Sequence, residues 1–319
     1  MSEKLIEVKN LKKYFNVGGG TLHAVDDVNF SIERGKTMGI VGESGCGKST
    51  LGRCVINLHT KTDGEVWFDG RNVSKPSARE MKKLRQEMQI IFQDPYSSLN
   101  PRKTVEQTIM EPILLHRKLS RNEMTQECSK YMDMVGIDKR LRNAYPHELD
   151  GGRRQRVGVA RALALDPKFI VCDEPVSALD VSIQAQILNL LMDLQDEYGL
   201  TYMFITHDMS VVRHISHNIG VMYLGQMIET SETDELFEHP LHPYTQALLS
   251  AIPTTDILHP QERIVLKGEI SSPIDPKPGC RFAKRCPYAE EKCAEPQMLT
   301  EVRPGHHVAC CRVEEINLN

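Results

Sequence analysis

Nine consecutive residues, Gly42-Glu43-Ser44-Gly45-Cys46-Gly47-Lys48-Ser49-Thr50, have the types and spacing of a nucleotide-phosphate cradle, with Gly42, Gly47, Lys48 and Ser49 fitting G-x-x-x-x-G-K-[ST]. Glycines let successive backbone N–H groups turn inward on an anion, and a helix that follows presents its positive end. Lys48 would reach the β and γ phosphates, and Ser49 would hold magnesium. Asp173-Glu174 follows the apolar run Phe169-Ile170-Val171-Cys172, which puts two carboxylates at the carboxyl end of a core strand. Asp173 can hold magnesium through its water shell, and Glu174 can polarise the water that attacks the γ phosphate. Capping a helix is the other use of acids at a strand end. Gln93, after Met88 to Phe92, and His207, after Met203 to Thr206, are two more polar groups at strand ends. A glutamine can accept from a metal-bound water and a histidine can contact the γ phosphate, so both suit nucleotide sensing.

These groups need strands to present them. The run Met38-Gly39-Ile40-Val41 leads into the loop, and Leu51 to Leu58 reads as the helix after it. Residues 5 to 70 alternate β-like segments (Leu5 to Val8, Val25 to Ile32, Glu65 to Asp69) with turn signals at Gly18-Gly19-Gly20, Glu33-Arg34-Gly35 and Asp63-Gly64, which predicts an antiparallel layer beside the loop. From about Thr104 to Leu165 the pattern is helical: Ser120 with Glu123 forms a capping box, and Gly136 can close the helix. Ser182 to Tyr198 is an amphipathic helix ended by Gly199, and Tyr202 to Thr206 is a strand followed by another helix. Strand and helix in alternation imply a parallel α/β core. After Glu229 the prolines of His239-Pro240-Leu241-His242-Pro243 and Pro273, Pro276 and Pro278 read as a punctuated connection into a cysteine-rich tail.

The 319 residues suit one large domain with an appendage, or two domains. Lys plus Arg total 39 against 43 Asp plus Glu, a net of −4, so no global basic charge points to nucleic acid. No apolar run approaches the roughly 18 residues of a membrane span, and the polar start predicts a chain kept in the cytosol. Nine cysteines are too unevenly placed for a disulfide framework. Cys280, Cys286, Cys293 and Cys310 stand at C-x5-C-x6-C-x16-C, with Cys311 adjacent and His306-His307 nearby. Four thiolates in a reducing compartment suit zinc or an iron-sulfur cluster, although no C-x2-C pair occurs; reduced cysteines without a metal are the alternative.

The phosphate loop, Gln93 in Phe92-Gln93-Asp94-Pro95, the region Leu149 to Gln155, Asp173-Glu174, Ser177-Ala178-Leu179-Asp180 and His207 together closely resemble the ATP-binding subunits of ABC transporters, over residues 5 to about 230. The resemblance implies an α/β ABC-type nucleotide-binding domain, a parallel P-loop core with an antiparallel β layer. It also implies an inserted helical subdomain at about 94–165, within an ATPase domain 1–235. It implies a head-to-tail dimer in which each ATP lies between one subunit's phosphate loop and the other's signature. Tyr14 would stack on adenine, with Phe15 as the alternative, and ordinary packing is the bland reading of either. The implied ATP-binding set is Tyr14, Gly42, Ser44, Gly45, Cys46, Gly47, Lys48, Ser49, Thr50, Gln93, Asp150, Gly151, Gly152 and Asp180. Glu174, His207, Gln93 and Lys48 are the implied catalytic residues, and Ser49, Gln93 and Asp173 the implied magnesium ligands. Where the family signature reads Leu-Ser-Gly-Gly-Gln, this chain has Leu149-Asp150-Gly151-Gly152-Arg153. Asp caps a helix as well as Ser does, but a carboxylate about 4 Å from a phosphate charge costs roughly 1 to 4 kcal/mol per charge. Arg153 or Arg154 can offset part of that, so the expectation is a site, completed by this signature, that hydrolyses ATP poorly.

The stretch Gly279 to Pro287, then Cys293 and Val308-Ala309-Cys310, together with His239 to Thr245, is similar to the tail of oligopeptide and dipeptide transporter ATPases. This implies a Cys-rich extension over 236–319 and a four-iron, four-sulfur ([4Fe-4S]) cluster on Cys280, Cys286, Cys293 and Cys310, with Cys311 standing where the family more often has another residue. Ile91 to Arg102 further resembles the F-type member of the ATPase pair, which implies a D-type sister ATPase. The same resemblance implies two transmembrane permease subunits, contacted near Gln93. An extracytoplasmic solute-binding protein would act through the permease, and the chain would lie peripherally on the cytoplasmic face of the membrane. Import of oligopeptides or dipeptides is the family default, with nickel complexes or glycosides as other cargoes. A soluble, non-transport ABC ATPase is the rival reading; only about 100 residues separate Ser49 from Asp150, which leaves no room for a chromosome-type coiled coil. A nucleotide-sensing regulatory subunit is the third, and Glu174 and His207 argue against it.

Overall fold

The computed structural model describes residues 3–253, 263–266, 268 and 272–317. The chain folds into two compact units: one comprises Met1–Glu33, Thr37–Ser74 and Phe204–Asn319, the other Arg34–Lys36 and Lys75–Met203.

In the first unit the turn at Gly18 and Gly19 joins the long strands Lys4–Val17 and Gly20–Glu33 into an antiparallel hairpin. The strand Asp63–Phe68 pairs antiparallel with Lys4–Val17, and Arg71–Asn72 completes a four-stranded sheet. This is the expected antiparallel layer, with strands running well past their β-like cores. The strand Thr37–Val41 is buried along its whole length and pairs parallel with Asn218–Tyr223, as continuous apolar runs do in parallel sheets. Beyond it lie, in order, Gln226–Glu232, His306–Val308 and Thr300–Arg303, all antiparallel to their neighbours. Val41, Val212, Val221, Tyr223, Leu236, Tyr244 and Phe282 form one buried apolar cluster. The expected punctuated connection after Glu229 is more regular than its prolines suggest. Thr233–Glu238 and Pro243–Ser250 are helices, with Pro243 in the first turn and the His242 ring accepting from the Tyr244 N–H at 3.1 Å. Proline lacks an N–H that a helix start leaves unpaired anyway and has φ preset for it, so here it opens a helix.

In the second unit Met88–Ile91 and Phe169–Asp173 pair in parallel. Between residues 95 and 163 every regular element is helical, chiefly Val105–Leu114, Arg121–Met134 and Gly151–Leu163. Capping boxes Thr104–Gln107 and Ser120–Glu123 open the first two, and Ile109, Met132 and Val159 are buried among them. The helix Val181–Tyr198 ends where Gly199 turns left-handed at φ 64°. Among the described residues no helix is long and apolar enough to cross a membrane.

Candidate nucleotide site and cysteine pocket

The phosphate loop sits between the strand Thr37–Val41 and the helix Lys48–Val55. Gly47 has φ 105°, and a Cβ on it would lie 2.0 Å from the Ala24 carbonyl oxygen, so backbone passes where any side chain would stand. Lys48 is buried, and its Nζ donates to the carbonyls of Gly42 at 2.7 Å and Glu43 at 3.0 Å, bending the cation back over the loop. No acid occupies the first helical turn. The first turn therefore carries no acid of its own to offset the positive helix end. Ser44 and Gly45 are exposed, Ser49 and Thr50 half-buried, and Cys46 buried. Burial pushes the Cys46 thiol up, against the pull of Lys48, so it packs as an inert neutral group. Glu43 is pinned twice more: its N–H donates to the Tyr244 hydroxyl at 2.9 Å, and its carboxylate takes both arms of the Arg285 fork at 2.7 and 3.0 Å.

Tyr14 is half-buried and stacks on His23, with ring centres 4.0 Å apart. Its hydroxyl donates to Asp26, which also contacts His23 at 3.1 Å and the Arg281 guanidinium. Burial works against the Asp26 charge, but hydrogen bonds from Tyr14 and His23 and the nearby Arg281 outweigh it and hold the carboxyl below its ordinary value. Phe15 meets His59 edge-on at 6.1 Å. His207 is exposed in the first unit, beside Asp208, which caps the helix Met209–Ile215.

In the second unit Asp173 is buried at the end of its strand, and Glu174 follows in the left-handed region at φ 49°. A non-glycine residue held there carries backbone strain. The Gln93 amide donates to the Glu174 carboxylate at 2.9 Å and reaches the Ser177 hydroxyl at 3.5 Å. Residues 81 positions apart thus meet through their polar ends. Asp150 caps the helix Gly151–Leu163, accepting from the Arg153 N–H at 2.7 Å, and Arg153 Nε lies 3.4 Å from its other oxygen. A Cβ on Gly152 would come within 2.7 Å of Ile183 Cγ2, so the glycine permits close packing there. Asp180 caps the helix Val181–Tyr198 through the Ile183 N–H at 3.0 Å.

Cys280, Cys286, Cys293, Cys310 and Cys311 do converge, lining one pocket with Phe282 and Ala283. The pocket's open volume is about 10 Å³, room for one water at most. Burial pushes Cys280 up to about 12, and burial raises Cys286 and Cys310 as well. Among the described residues no group of three or more His, Cys, Asp or Glu side chains is arranged to hold a metal ion. The iron-sulfur expectation on Cys280, Cys286, Cys293 and Cys310 therefore has the right donors converging on one pocket, but among the described residues neither the pocket's open volume nor a metal-binding arrangement supports the cluster. His306 does not belong to the thiols either. Its Nε2 lies 2.8 Å from Glu229 and its Nδ1 3.3 Å from Glu235, with His306 and Glu229 both buried. The pairs Glu43–Arg285, Asp26–Arg281 and Glu229–His306 carried no signal in the sequence, since they join positions 242, 255 and 77 apart.

Comparison with known proteins matches residues 25–177 to the family model described as ABC transporter, and residues 228–293 to the model of the oligopeptide/dipeptide transporter C-terminal region. The oligopeptide transport ATP-binding protein AppF of Bacillus subtilis is 49% identical, covering 97% of this chain and 97% of that protein. The oligopeptide transport ATP-binding protein OppF of the same organism is 49% identical over 98% of each. Among solved structures, the dimeric, post-hydrolysis ATP-binding cassette MJ0796 bound to ADP and Pi superposes with a TM-score of 0.66 at 30% identity, over 72% of this chain and 99% of that one. CbiO1 of Clostridium perfringens, part of the transporter complex cbiONQ, does so with a TM-score of 0.66 at 30% identity, over 74% and 92%. This chain belongs to the ABC transporter family, as an ATP-hydrolysing member of its oligopeptide/dipeptide transporter branch.

Proposed function

We propose that the chain binds and hydrolyses ATP to power an importer of oligopeptides or dipeptides. The observation that carries the reading is the folded phosphate loop, with Gly47 left-handed and Lys48 buried over the Gly42 and Glu43 carbonyls at the start of a helix. The relatives' names, oligopeptide transport ATP-binding proteins, supply the peptide. In this reading the loop 42–50 cradles the phosphates, with Ser44, Gly45, Cys46, Gly47 and Thr50 lending backbone N–H groups. Lys48 swings from its two carbonyls to the β and γ phosphates. Tyr14 presents its ring to adenine. Glu174, oriented by the Gln93 amide, takes the proton of the attacking water, and His207 contacts the γ phosphate. Ser49, Gln93 and Asp173 offer oxygen donors, the chemistry a hard cation prefers. They would hold magnesium, which would supply positive charge against that of the phosphates.

The reading extends to a nucleotide-sandwich dimer with a D-type sister ATPase, docked on two transmembrane permease subunits at the cytoplasmic face of the membrane, with a solute-binding protein beyond them. The signature Asp150, Gly151 and Gly152, with Asp180, would complete the partner's ATP site. Asp150 then places a carboxylate where the family has a hydroxyl, and that site hydrolyses slowly. The division of this reading is an ATPase domain 1–235, with a helical subdomain at about 94–165, and an extension 236–319; the separate family matches at 25–177 and 228–293 favour two parts, and the helical elements between residues 95 and 163 favour the subdomain. A [4Fe-4S] cluster on the extension has only its donor chemistry in favour, and no step runs through it; protein purified anaerobically without iron or labile sulfide would discard it.

The test is recovery of the tagged chain from detergent-solubilised native membranes, followed by reconstitution in vesicles. Co-purification with two polytopic subunits and a sister ATPase, and ATP-dependent peptide accumulation, are the expected results. Recovery with soluble partners alone would instead favour a non-transport ATPase.

A further inference from the structure

We infer that Arg285 and Arg281 are positioning residues for nucleotide binding, through which the cysteine segment 280–286 sets the geometry of the phosphate loop and of Tyr14. The inference rests on the reading above that ATP binds on this loop.

The segment is anchored by Phe282. Its ring is buried against Tyr223 at 5.3 Å and Tyr244 at 5.4 Å. Turn hydrogen bonds from Ala283 to Cys280, and from Arg285 and Cys286 to Phe282, fix the backbone around it at 2.9 to 3.1 Å. Two arginines leave this anchor in different directions, one next to each of its cysteines. Arg285 is almost wholly enclosed, its side chain 8% exposed, and binds both oxygens of Glu43. Such a fork fixes direction as well as distance. Glu43 is thereby held at its carboxylate by Arg285, at its N–H by Tyr244 and at its carbonyl by Lys48. It is the second residue of the loop, so its placement decides where the following N–H groups point and what Lys48 must release. Arg281, its side chain 7% exposed, bonds Asp26 and the Leu224 carbonyl. Asp26 in turn takes the Tyr14 hydroxyl and the His23 ring, and His23 stacks on Tyr14.

One rigid turn thus touches the groups proposed for both ends of the nucleotide. Surface ion pairs contribute little, but these arginines are enclosed, and removing one partner of an enclosed pair leaves a charge that drives rearrangement. Small displacements of groups that position a ligand weaken it disproportionately. Both arginines bond protein groups, namely Glu43, Asp26 and the Leu224 carbonyl, so the role of the segment is to orient others.

The experiment measures equilibrium binding of a fluorescent ATP analogue to the full chain, with the thermal midpoint recorded for each variant. Arg285→Ala should bind about fivefold more weakly, the low end of couplings between distinct elements. Arg285→Lys, which keeps the charge and loses the fork, should fall between it and the wild type, and carries the test if Arg285→Ala does not fold. Glu43→Ala should weaken binding similarly, and the double variant no more than either single one, because both changes remove one interaction. Arg281→Lys should weaken binding as well. Effects of Arg285→Ala and Glu43→Ala that simply add, or wild-type affinity in every arginine variant, would overturn the inference. Lys48→Ala separates it from the reading beneath it. If that variant alone loses binding, the loop is the ATP site and the arginines do not position it; if it binds like the wild type, the site assignment fails first.

Discussion

The phosphate loop and the cysteine pocket lie in the same unit, and both gather side chains capable of strong chemistry, yet they are built in opposite ways. The loop takes its function from backbone N–H groups of neighbouring residues, so nine adjacent positions carry all its donors, and remote partners such as Arg285 and Tyr244 only trim where Glu43 sits. The pocket takes thiols from positions spread over 280 to 311, and its shape depends on everything that packs around them. Spacing therefore specifies the first and only permits the second. The loop is folded as a cradle before any ligand is considered, whereas the thiols close on one another around Phe282.

That contrast says the pocket is a small apolar core, and it is most exposed to a test at Phe282. Phe282→Ala should cost about 3–5 kcal/mol of unfolding free energy, the usual price of truncating a buried aromatic. In chemical denaturation this appears as an early loss of the C-terminal region. Chelator treatment of wild-type protein should move the thermal midpoint by less than about 2 °C, under the shift that 1 kcal/mol produces in a chain of this size. The contrast breaks if chelation lowers the midpoint strongly and Phe282→Ala does not, because the pocket would then be organised by a metal.

What the sequence made readable follows the same line. The loop, the caps at Ser120 and Asp150, the left-handed stops at Gly136 and Gly199 and the carboxylates after Phe169–Cys172 are local features, each decided within a few residues. The strand His306–Val308, paired to Gln226–Glu232 from 77 positions away, was not readable, nor was Arg285 on Glu43. The helix behind Pro243 was misjudged because proline both ends and begins helices, and only the capping contact of His242 distinguishes the two. The cluster expectation finds its donors but no cavity to match: donor types and order are in the sequence, cavity size is not.

The buried pair Glu229–His306 sharpens the contrast from another side, since it joins the C-terminal strands to the core by charge. Burial opposes charging of His306, but its bonds to Glu229 and Glu235 outweigh it and raise its folded pKa above the ordinary value. A raised folded pKa means the contribution is fully present below about pH 6.5 and lost as pH rises through the folded value. His242 acts the other way. Burial lowers it to about 4, so its contribution is present above about pH 6.5 and lost as pH falls toward the folded value. His306→Gln should therefore destabilise by about 2 kcal/mol at pH 6, the scale of a hydrogen bond to a charged group, with the difference shrinking toward pH 9. A difference independent of pH would mean the pair is held by packing alone.

Asp150 gives the smallest expected change in stability and the finest division between fold and chemistry. Its carboxylate accepts from the Arg153 N–H at 2.7 Å, a bond that a serine hydroxyl can make equally well. Asp150→Ser should therefore leave unfolding free energy within about 0.5 kcal/mol of the wild type. The Arg153 guanidinium at 3.4 Å is more than half exposed, as is Asp150, so the ion pair between them neither holds the helix nor fully cancels the negative charge. In a sandwich dimer that charge faces phosphate, and the exposed setting puts the repulsion near the low end, about 1 kcal/mol per charge. The assembled complex carrying Asp150→Ser should then hydrolyse ATP about fivefold faster at the affected site, since 1.4 kcal/mol would be tenfold. An unchanged ATPase rate with unchanged stability would mean that Asp150 serves the helix alone, and that the two ATP sites do not differ on its account.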